Sequence, residues 1–112
     1  MDCIFCKIAA HEVDSNILYE DDQVVAFRDL KPLAPVHLLI VPKRHIETVA
    51  DLTEQDKPLM GHMVTVANQL ARDKGVIERG YRLIVNCGPQ AGQVVGHLHM
   101  HLLAGRQLSE LG

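Results

Sequence analysis

Three histidines alternate with aliphatic residues near the end of the chain, in the run Gly96-His97-Leu98-His99-Met100-His101-Leu102-Leu103. The two-residue period of a β-strand places the three imidazoles on one face and the aliphatic side chains on the other, whereas a helix would scatter them. Each imidazole has two nitrogens that need partners once buried, so we expect the row to face a polar cleft. Crowded imidazoles disfavour one another's protonation, which leaves a neutral nitrogen able to attack beside a neighbour that holds a proton. The row therefore predicts nucleophilic and acid–base catalysis of group transfer.

Two other interpretations of this row are open. A metal ion could bind neighbours such as His97 and His99, but at about 3.3 Å per residue His97 and His101 lie roughly 13 Å apart, so one ion does not bind all three. A core histidine without a chemical role is the ordinary interpretation of a single His. Three histidines in register make that interpretation a weak one.

Cys3-x-x-Cys6 supplies two thiols at the spacing of half a tetrahedral zinc site. Zinc takes thiolates and imidazoles in closed structural sites, but a single pair of cysteines does not identify the other two ligands, for which His11 is one candidate. The alternative is a pair of thiols in the core or on a helix face. Cys87 falls in a strand pattern and is predicted to be core, and His62 is predicted to be solvated on the polar face of a helix.

The elements that must position these residues are five strands and two helices. Strand composition occurs at residues 16–20, 24–28, 37–41, 81–87 and 94–104. Residues 2–10 have the apolar spacing of a short helix, with Asp2 near its N-terminus. Strands around one long helix predict an α+β fold, with an antiparallel sheet of about five strands and the helix across one face.

The long helix extends from Thr53 or Asp56 to Lys74, where apolar residues recur with the helical period. Pro58 is tolerated only near a helix start, which favours Asp56 as the cap. Gly75 supplies the stop.

The composition sets the class of protein. With 112 residues the chain is predicted to form one domain over positions 1–112. A net charge of −3 lacks the basic excess of a nucleic-acid binder. No apolar run approaches the roughly 20 residues of a membrane span, and Met1-Asp2-Cys3 lacks a basic signal region, so we expect a cytoplasmic protein. Three cysteines in a reducing compartment do not predict a disulfide framework.

At these residues the chain resembles the histidine triad superfamily, whose signature is His-φ-His-φ-His-φ-φ with φ apolar, and residues 97–103 satisfy every position. The segments that match its nucleotide-binding, Hint-like branch are Cys3-Ile4-Phe5-Cys6-Lys7-Ile8, Phe27-Arg28-Asp29-Leu30, Ala34-Pro35-Val36-His37 through Pro42-Lys43-Arg44-His45, Asn86 and Gly92-Gln93. The resemblance covers nearly the whole chain. It implies a HIT-like fold with its strands in a meander, and a homodimer whose two sheets join into one.

The resemblance implies a purine nucleoside phosphoramidase or nucleotidyl hydrolase acting on AMP-linked amines or related nucleoside monophosphate conjugates. His99, the middle histidine of the triad, would be the nucleophile and carry the nucleotidyl group until water removes it. His101 would contact the phosphate and carry a proton, and His97 and His37 would orient and polarise the row. These roles suit imidazole. The attacking ring must be neutral, with the N–H of its second nitrogen bound to an acceptor, and the departing amine needs a proton from a neighbouring ring. No organic cofactor is implied.

Contacts to the substrate are implied in the same way. Asn86, Gly92 and Gln93 would border the phosphate, because glycine lets backbone N–H groups approach an anion closely. Asp29 would accept both ribose hydroxyls. The apolar slot for the base would consist of Phe5, Ile8, Phe27, Leu30 and Leu39. Val94 stands beside the phosphate where relatives often carry a hydroxyl or acidic side chain, and Gly96 replaces a larger residue; both departures bear on leaving-group preference and rate.

For the two cysteines, the resemblance to bacterial relatives implies two histidine partners, the one after the Pro-Lys-x run and the first of the triad. We therefore expect structural zinc on Cys3, Cys6, His45 and His97. Should the two departures spoil the reacting site, the alternative function is a zinc-stabilised nucleotide-binding or scaffolding module with little catalysis. The predicted partners are an AMP-like purine nucleotide and a second copy of the chain, and neither a nucleic acid nor a membrane.

Overall fold

A computed structural model describes residues 3–111 as one five-stranded sheet with a helix on each face. The elements, in chain order, are α1 (Ile4–Ala9), β1 (Ile17–Glu20), β2 (Val24–Arg28), β3 (Val36–Pro42), α2 (Lys57–Asp73), β4 (Tyr81–Ile84) and β5 (Met100–Ala104). The predicted α+β class, the five antiparallel strands, the long helix and the short N-terminal helix are confirmed. The prediction for Asp2 lies outside the described residues.

The strands follow the order β1-β2-β3-β5-β4, with every neighbouring pair antiparallel. The implied meander is wrong in one respect, because the chain passes from β3 through α2 to the edge strand β4 and only then returns to β5. This order places β5 between β3 and β4, with Leu39 opposite His101 and His37 opposite Leu103. The triad strand and the His37 strand are thus direct neighbours.

Each face of the sheet has its own apolar cluster. The α2 face joins Leu38, Ile40, Leu98, Met100 and Leu102 to the buried side of α2. The opposite face joins Val25, Phe27, Leu39 and Val41 to Phe5 and Ile8 of α1. Both faces of β3 are therefore covered, which explains its unbroken apolar run.

The long helix begins at Lys57, one residue after Asp56 as the proline predicted, with Pro58 in its first turn. Asp56 does not cap the helix with its side chain; its carboxylate accepts from the Thr53 N–H and pairs with Arg44. A 3₁₀ turn over Glu54–Asp56 precedes the helix, so Thr53 begins that turn and not the α-helix. Gly75 follows the helix with φ 70°, a left-handed conformation that glycine adopts without strain.

Two strand predictions were too long. The predicted strand 94–104 is regular only from Met100, and the predicted strand 81–87 ends at Ile84. Between them the chain forms an irregular connection with a 3₁₀ turn at Pro89–Ala91. Cys87 lies in this connection and is exposed, so its assignment to the core was wrong. His97 and His99 precede the strand, yet Leu98 and Met100 enter the α2-face cluster, so the alternation of faces predicted for the row is retained.

The described helices include none that is both long and apolar enough to cross a membrane.

Candidate active site

The ring of His99 is oriented by the backbone of the same segment. Its Nδ1 donates to the carbonyl oxygen of His97 at 2.7 Å. A carbonyl oxygen can only accept, so Nδ1 carries the proton, and in the neutral ring Nε2 holds a lone pair. The edge of Phe5 packs against the ring, with 5.1 Å between centroids. His99 is therefore held as the tautomer that can act as a nucleophile through Nε2.

A chain of hydrogen bonds determines the tautomer of His101. The Leu33 N–H donates to His37 Nδ1 at 3.0 Å, so His37 carries its proton on Nε2. His37 Nε2 lies 2.9 Å from His101 Nδ1 and donates to it. His101 Nδ1 is then an acceptor, and the proton of the neutral ring is on Nε2. The Leu33–His37–His101 chain, which we call the relay, thus leaves His101 Nε2 as a donor.

The two remaining imidazole nitrogens meet at the surface. The rings of His99 and His101 have centroids 5.1 Å apart. Among residues 3–111 neither Nε2 has a hydrogen-bond partner, and no buried side-chain nitrogen or oxygen lacks one, so both Nε2 atoms contact solvent. His99 is only 7% exposed, which limits access to this edge of the ring. A lone pair and an N–H therefore lie side by side, as the alternating row predicted.

Burial keeps the relay neutral. It lowers the pKa of His37, against the opposing effect of Asp29. It also lowers the pKa of His101 to about 4, and the neighbouring His99 and His37 contribute in the same direction. Desolvation penalises the charged imidazolium, so both rings are neutral near neutral pH. This is the protonation state that the hydrogen-bond directions require.

Asp29 lies beside the relay. Its Oδ1 accepts from the Lys31 N–H at 2.8 Å, and its Oδ2 lies 3.3 Å from His37 Nε2. The ligand atoms of Asp29, His37 and His101 lie within 4.8 Å of one another. However, His37 Nδ1 accepts from a backbone N–H, which places the proton on Nε2 and leaves no lone pair there for a metal. The hydrogen-bond pattern therefore favours a proton relay over a metal centre in this cluster.

A second cluster lies where α1 meets the segment before β5. Ligand atoms of Cys3, Cys6, His45 and His97 lie within 4.8 Å of one another. Cys3 Sγ and His97 Nδ1 are 3.2 Å apart, as are Cys6 Sγ and His45 Nδ1. Zinc bonds of about 2.3 Å to sulfur and 2.0 Å to nitrogen at tetrahedral angles separate the two ligand atoms by about 3.5 Å. The four side chains brought together are those that the sequence predicted, and their donor set fits zinc.

His97 faces this cluster and not the relay. Its Nε2 donates to the Pro42 carbonyl at 2.8 Å, which leaves the Nδ1 lone pair facing both cysteines. The ring is fully buried, and burial lowers its pKa. These contacts of the His97 imidazole do not support its predicted role in polarising the row, which stays a prediction. The His97 carbonyl contacts the site through His99 Nδ1.

The neighbouring thiols affect each other. The pKa of Cys6 is raised by burial and by its hydrogen bond and charge interaction with Cys3. A pair of adjacent thiolates is costly unless a cation lies between them. His11 does not join the cluster; it is an exposed residue that contacts Glu20 at 2.9 Å. His62 was expected to be solvated, but it is half-buried and contacts Asp21 at 2.6 Å.

Known proteins share the sequence and the fold that form this site. The family profile described as scavenger mRNA decapping enzyme C-term binding matches residues 2–111. A histidine triad protein from Clostridium difficile is 47% identical, with a TM-score of 0.96 over 100% of this chain and 97% of that one. The chain belongs to the histidine triad family.

Other members have similar sequences and structures. A purine nucleoside phosphoramidase of Escherichia coli (strain K12) is 48% identical over 108 residues, which is 96% of this chain and 91% of that protein. A HIT family hydrolase from Legionella pneumophila is 45% identical, with a TM-score of 0.95 and 96% of each chain covered. The match thus extends over the whole described fold.

In this member of the family, most of the predicted base slot forms one cluster. Phe5, Ile8, Phe27 and Leu39 are buried together on the α1 face, beside His99. Leu30 is different, because it is 92% exposed and contributes nothing to that cluster. Its assignment to the wall of an apolar slot stays a prediction without support from packing.

The loop predicted to border the phosphate uses its donors differently from the prediction. The Gly92 and Gln93 N–H groups donate to Pro89 and Gly88 carbonyls, and these bonds close the turn. The Gln93 side chain accepts from the Gly88 N–H and donates to the carbonyls of Glu47 and Val95. Within residues 3–111 the Gln93 side chain therefore stabilises the loop through hydrogen bonds.

The next residues of this loop are better placed as donors to an anion. The N–H groups of Val94 and Val95 have no hydrogen-bond partner within the described chain, and the Val94 side chain is 92% exposed. Asn86 is half-buried beyond the end of β4, and its side-chain amide donates to no other described residue. Gly96 has open space where a Cβ would be.

The sequence alone did not identify several groups that position the site. These are the His97 and Pro42 carbonyls, the Leu33 N–H and Arg106, whose Nη2 donates to the Leu33 carbonyl at 2.8 Å. Three of the four are backbone groups, which every residue carries and which therefore leave no signal in residue type.

Proposed function

We propose that the protein is a hydrolase of purine nucleoside 5′-phosphoramidates and related nucleoside monophosphate conjugates. The observation that carries the proposal is the pair of solvent-facing nitrogens, a lone pair on His99 Nε2 beside a donor on His101 Nε2. The 48% identity to a purine nucleoside phosphoramidase supports the same reaction. A nucleophile next to a proton donor is what cleavage of a phosphorus–nitrogen bond requires.

The reaction proceeds in two displacements. In the first, His99 Nε2 bonds to phosphorus while the bond to the amine nitrogen breaks, and that nitrogen takes the proton from His101 Nε2. His101, having lost its only ring proton, is left as an imidazolate that still accepts from His37 at Nδ1. The nucleotidylated His99 ring becomes positive, with 5.1 Å between the ring centroids, and this positive charge offsets the negative charge on His101. In the second, water bonds to phosphorus and gives its proton to His101 as the bond to His99 breaks. The products are a nucleoside 5′-monophosphate and an amine.

The nucleotide would lie with its base against the Phe5 cluster and its ribose at Asp29. The Asp29 carboxylate is partly exposed beside the relay, which suits a pair of ribose hydroxyls. The Val94 and Val95 N–H groups, with the Asn86 amide, would donate to the phosphate. The 48% identity to the Escherichia coli purine nucleoside phosphoramidase supports a purine base, such as that of AMP.

The nucleophile is tested by His99→Ala with adenosine 5′-phosphoramidate as substrate. Loss of a covalent nucleophile is expected to lower kcat by roughly a thousandfold or more, with AMP binding retained. His11→Ala, which changes an exposed histidine far from the relay, is the matched control. Mass spectrometry of wild type quenched in denaturant at alkaline pH, where a phosphorus–nitrogen bond to histidine survives, should show a nucleotidyl adduct on His99. Turnover by His99→Ala at the wild-type rate would exclude His99 from the mechanism.

The alternative function is a nucleotide-binding module with little catalysis. The exposed Val94 favours it, because an aliphatic side chain gives no proton to a leaving group. The same quenched samples distinguish the two. A nucleotidyl adduct together with steady turnover supports the hydrolase. Tight AMP binding without an adduct and without turnover supports the nucleotide-binding module.

We also propose that Cys3, Cys6, His45 and His97 hold a structural zinc ion. Support comes from the clustering of the four ligand atoms and from the Pro42 carbonyl, which holds His97 with its Nδ1 lone pair toward the cysteines. The ion would tie α1 to the segment before β5, and through His97 to the backbone that orients His99. Thiolate ligands need a reducing compartment, so a cytoplasmic location is part of this proposal.

Metal analysis tests the zinc site. Purified wild type is expected to contain one zinc per chain, and Cys3→Ser/Cys6→Ser none, with a lower Tm because metal binding contributes to folding. Cys87→Ser is the matched control, since that thiol lies outside the cluster. Zinc retained by the double variant would assign the metal to the other histidines.

A homodimer completes the proposal. In the described structure β4 forms one edge of the sheet, and all four of its residues are half-buried. An exposed sheet edge is a template for pairing with another strand, and a second copy of β4 would continue the sheet across a two-fold axis.

A further inference from the structure

We propose that Arg106 is a positioning residue for the reaction, acting through Leu33 on the relay; this inference depends on the proposed function. Arg106 Nη2 donates to the Leu33 carbonyl at 2.8 Å, and Leu33 donates to His37 Nδ1 at 3.0 Å. His37 in turn donates to His101 Nδ1 at 2.9 Å. One continuous chain of hydrogen bonds thus connects an exposed arginine to the proton donor.

The Leu33 peptide makes few contacts besides these hydrogen bonds. It lies in the loop between β2 and β3, and its side chain is 68% exposed. Within the described residues its N–H contacts only His37 and its carbonyl only Arg106. A loop peptide without packing is mobile unless its polar groups are bound, so the Arg106 contact restricts where the Leu33 N–H points.

Arg106 is itself well placed to hold this peptide. Its Nη1 donates to the Gln107 carbonyl at 2.9 Å, which fixes the guanidinium plane. Gly105 precedes it with φ 99°, and a Cβ at that position would lie 2.8 Å from the Pro35 Cβ. The chain after β5 therefore passes directly against the Leu33 loop. No carboxylate in residues 3–111 pairs with Arg106, so its role is not that of a surface ion pair.

The consequence is chemical. If the Leu33 N–H moves away, His37 Nδ1 can take the proton and Nε2 becomes an acceptor. His101 would then carry its proton on Nδ1, and its Nε2 could no longer donate to a leaving amine. Loss of Arg106 should therefore affect the step that needs a proton and leave the attack by His99 largely unaltered.

The test compares two leaving groups in Arg106→Ala. With adenosine 5′-phosphoramidate, whose amine needs a proton, kcat is expected to fall about tenfold with KM little changed. With the p-nitrophenyl ester of AMP, whose leaving group departs without one, kcat should stay within about twofold of wild type. Arg106→Lys, which keeps one donor for the Leu33 carbonyl, is expected to recover most of the loss.

Arg82→Ala is the matched control, because Arg82 Nη2 also donates to a backbone carbonyl, that of Ser109, at 2.8 Å but has no link to the histidines. Equal losses on both substrates in Arg106→Ala, or the same loss in Arg82→Ala, would overturn the inference. The proposed function is tested separately, since His99→Ala should lose both substrates. If Arg106→Ala is poorly folded by Tm, Arg106→Met replaces it, because methionine keeps an unbranched apolar side chain but has no donor for the Leu33 carbonyl. A loss selective for the phosphoramidate in Arg106→Met supports the inference, and unchanged kinetics with both substrates contradicts it.

Discussion

The neighbouring rings of His99 and His101, with centroids 5.1 Å apart, differ in chemistry because their Nδ1 atoms have different partners. His99 Nδ1 meets a carbonyl, which can only accept, and His101 Nδ1 meets the N–H of His37. One ring is thereby left with a lone pair and the other with a donor. In the proposed mechanism, backbone and neighbour contacts thus make one of two identical side chains the nucleophile and the other the proton donor.

The lowered pKa values of His37 and His101 make stability depend on pH. Unfolded, both rings would titrate near their ordinary value of 6.5, whereas folded His101 titrates near 4. Between these values the unfolded chain binds more protons, so the free energy of unfolding is high above 6.5 and falls as pH decreases toward 4. His101→Gln removes one of the titrating rings, so it should reduce the pH dependence of the free energy of unfolding by at most about 1.4 kcal/mol per pH unit.

Urea denaturation from neutral to mildly acidic pH measures the effect as the difference between wild type and variant, which removes any shared loss of metal. A slope unaltered in His101→Gln would show that His101 titrates normally in the folded protein.

The pairing of β3 with β5 brings the relay together. Leu39 lies opposite His101, and His37 opposite Leu103, so His37 and His101 are diagonal neighbours on one face. Their ring centroids are 5.2 Å apart. A one-residue change in register would place the two rings on opposite faces, so strand register decides whether the relay exists.

The end of β5 depends on a glycine. Gly105→Ala is expected to destabilise the protein by about 1–3 kcal/mol. Residue 105 has a left-handed backbone that strains an alanine, and the new Cβ would clash with Pro35. Gly61→Ala is the matched control, since Gly61 lies in α2 with nothing within 4 Å of a new Cβ, and alanine there should stabilise by about 0.5–1 kcal/mol. Chemical denaturation measures both. Equal and small effects would show that the turn after β5 tolerates a side chain.

Across the whole protein, the larger apolar cluster and the candidate active site lie on opposite faces of the sheet. The α2 face holds the larger apolar cluster, while the α1 face holds the smaller cluster and the two side-chain groups of the site, Cys3–Cys6–His45–His97 and Asp29–His37–His101. Burial on both faces fixes the strands between them, so the imidazoles project from a rigid support.

The proposed dimer predicts a difference between the two sheet edges. Amide hydrogen exchange in β4 should slow as protein concentration rises above the dissociation constant, because pairing with a second copy gives its outward N–H groups partners. The β1 amides, at the opposite edge, are the internal control and should be unaffected. Sedimentation should give twice the mass of 12.4 kDa. A single-chain mass at high concentration, with β4 and β1 exchanging alike, would contradict the dimer.

The sequence by itself determined the fold class, the alternation of the histidine row and, by resemblance, the Cys3–Cys6–His45–His97 cluster, because periodicity and ligand type depend on side chains that can be read directly. It did not determine where β5 begins, the place of β4 at the edge or the exposure of Leu30, which depend on packing between segments distant in the chain. The tertiary structure alone decided the tautomers. They are set by the His97 carbonyl, the Leu33 N–H and Arg106, and backbone groups acquire a specific role only when folding brings them to a particular nitrogen.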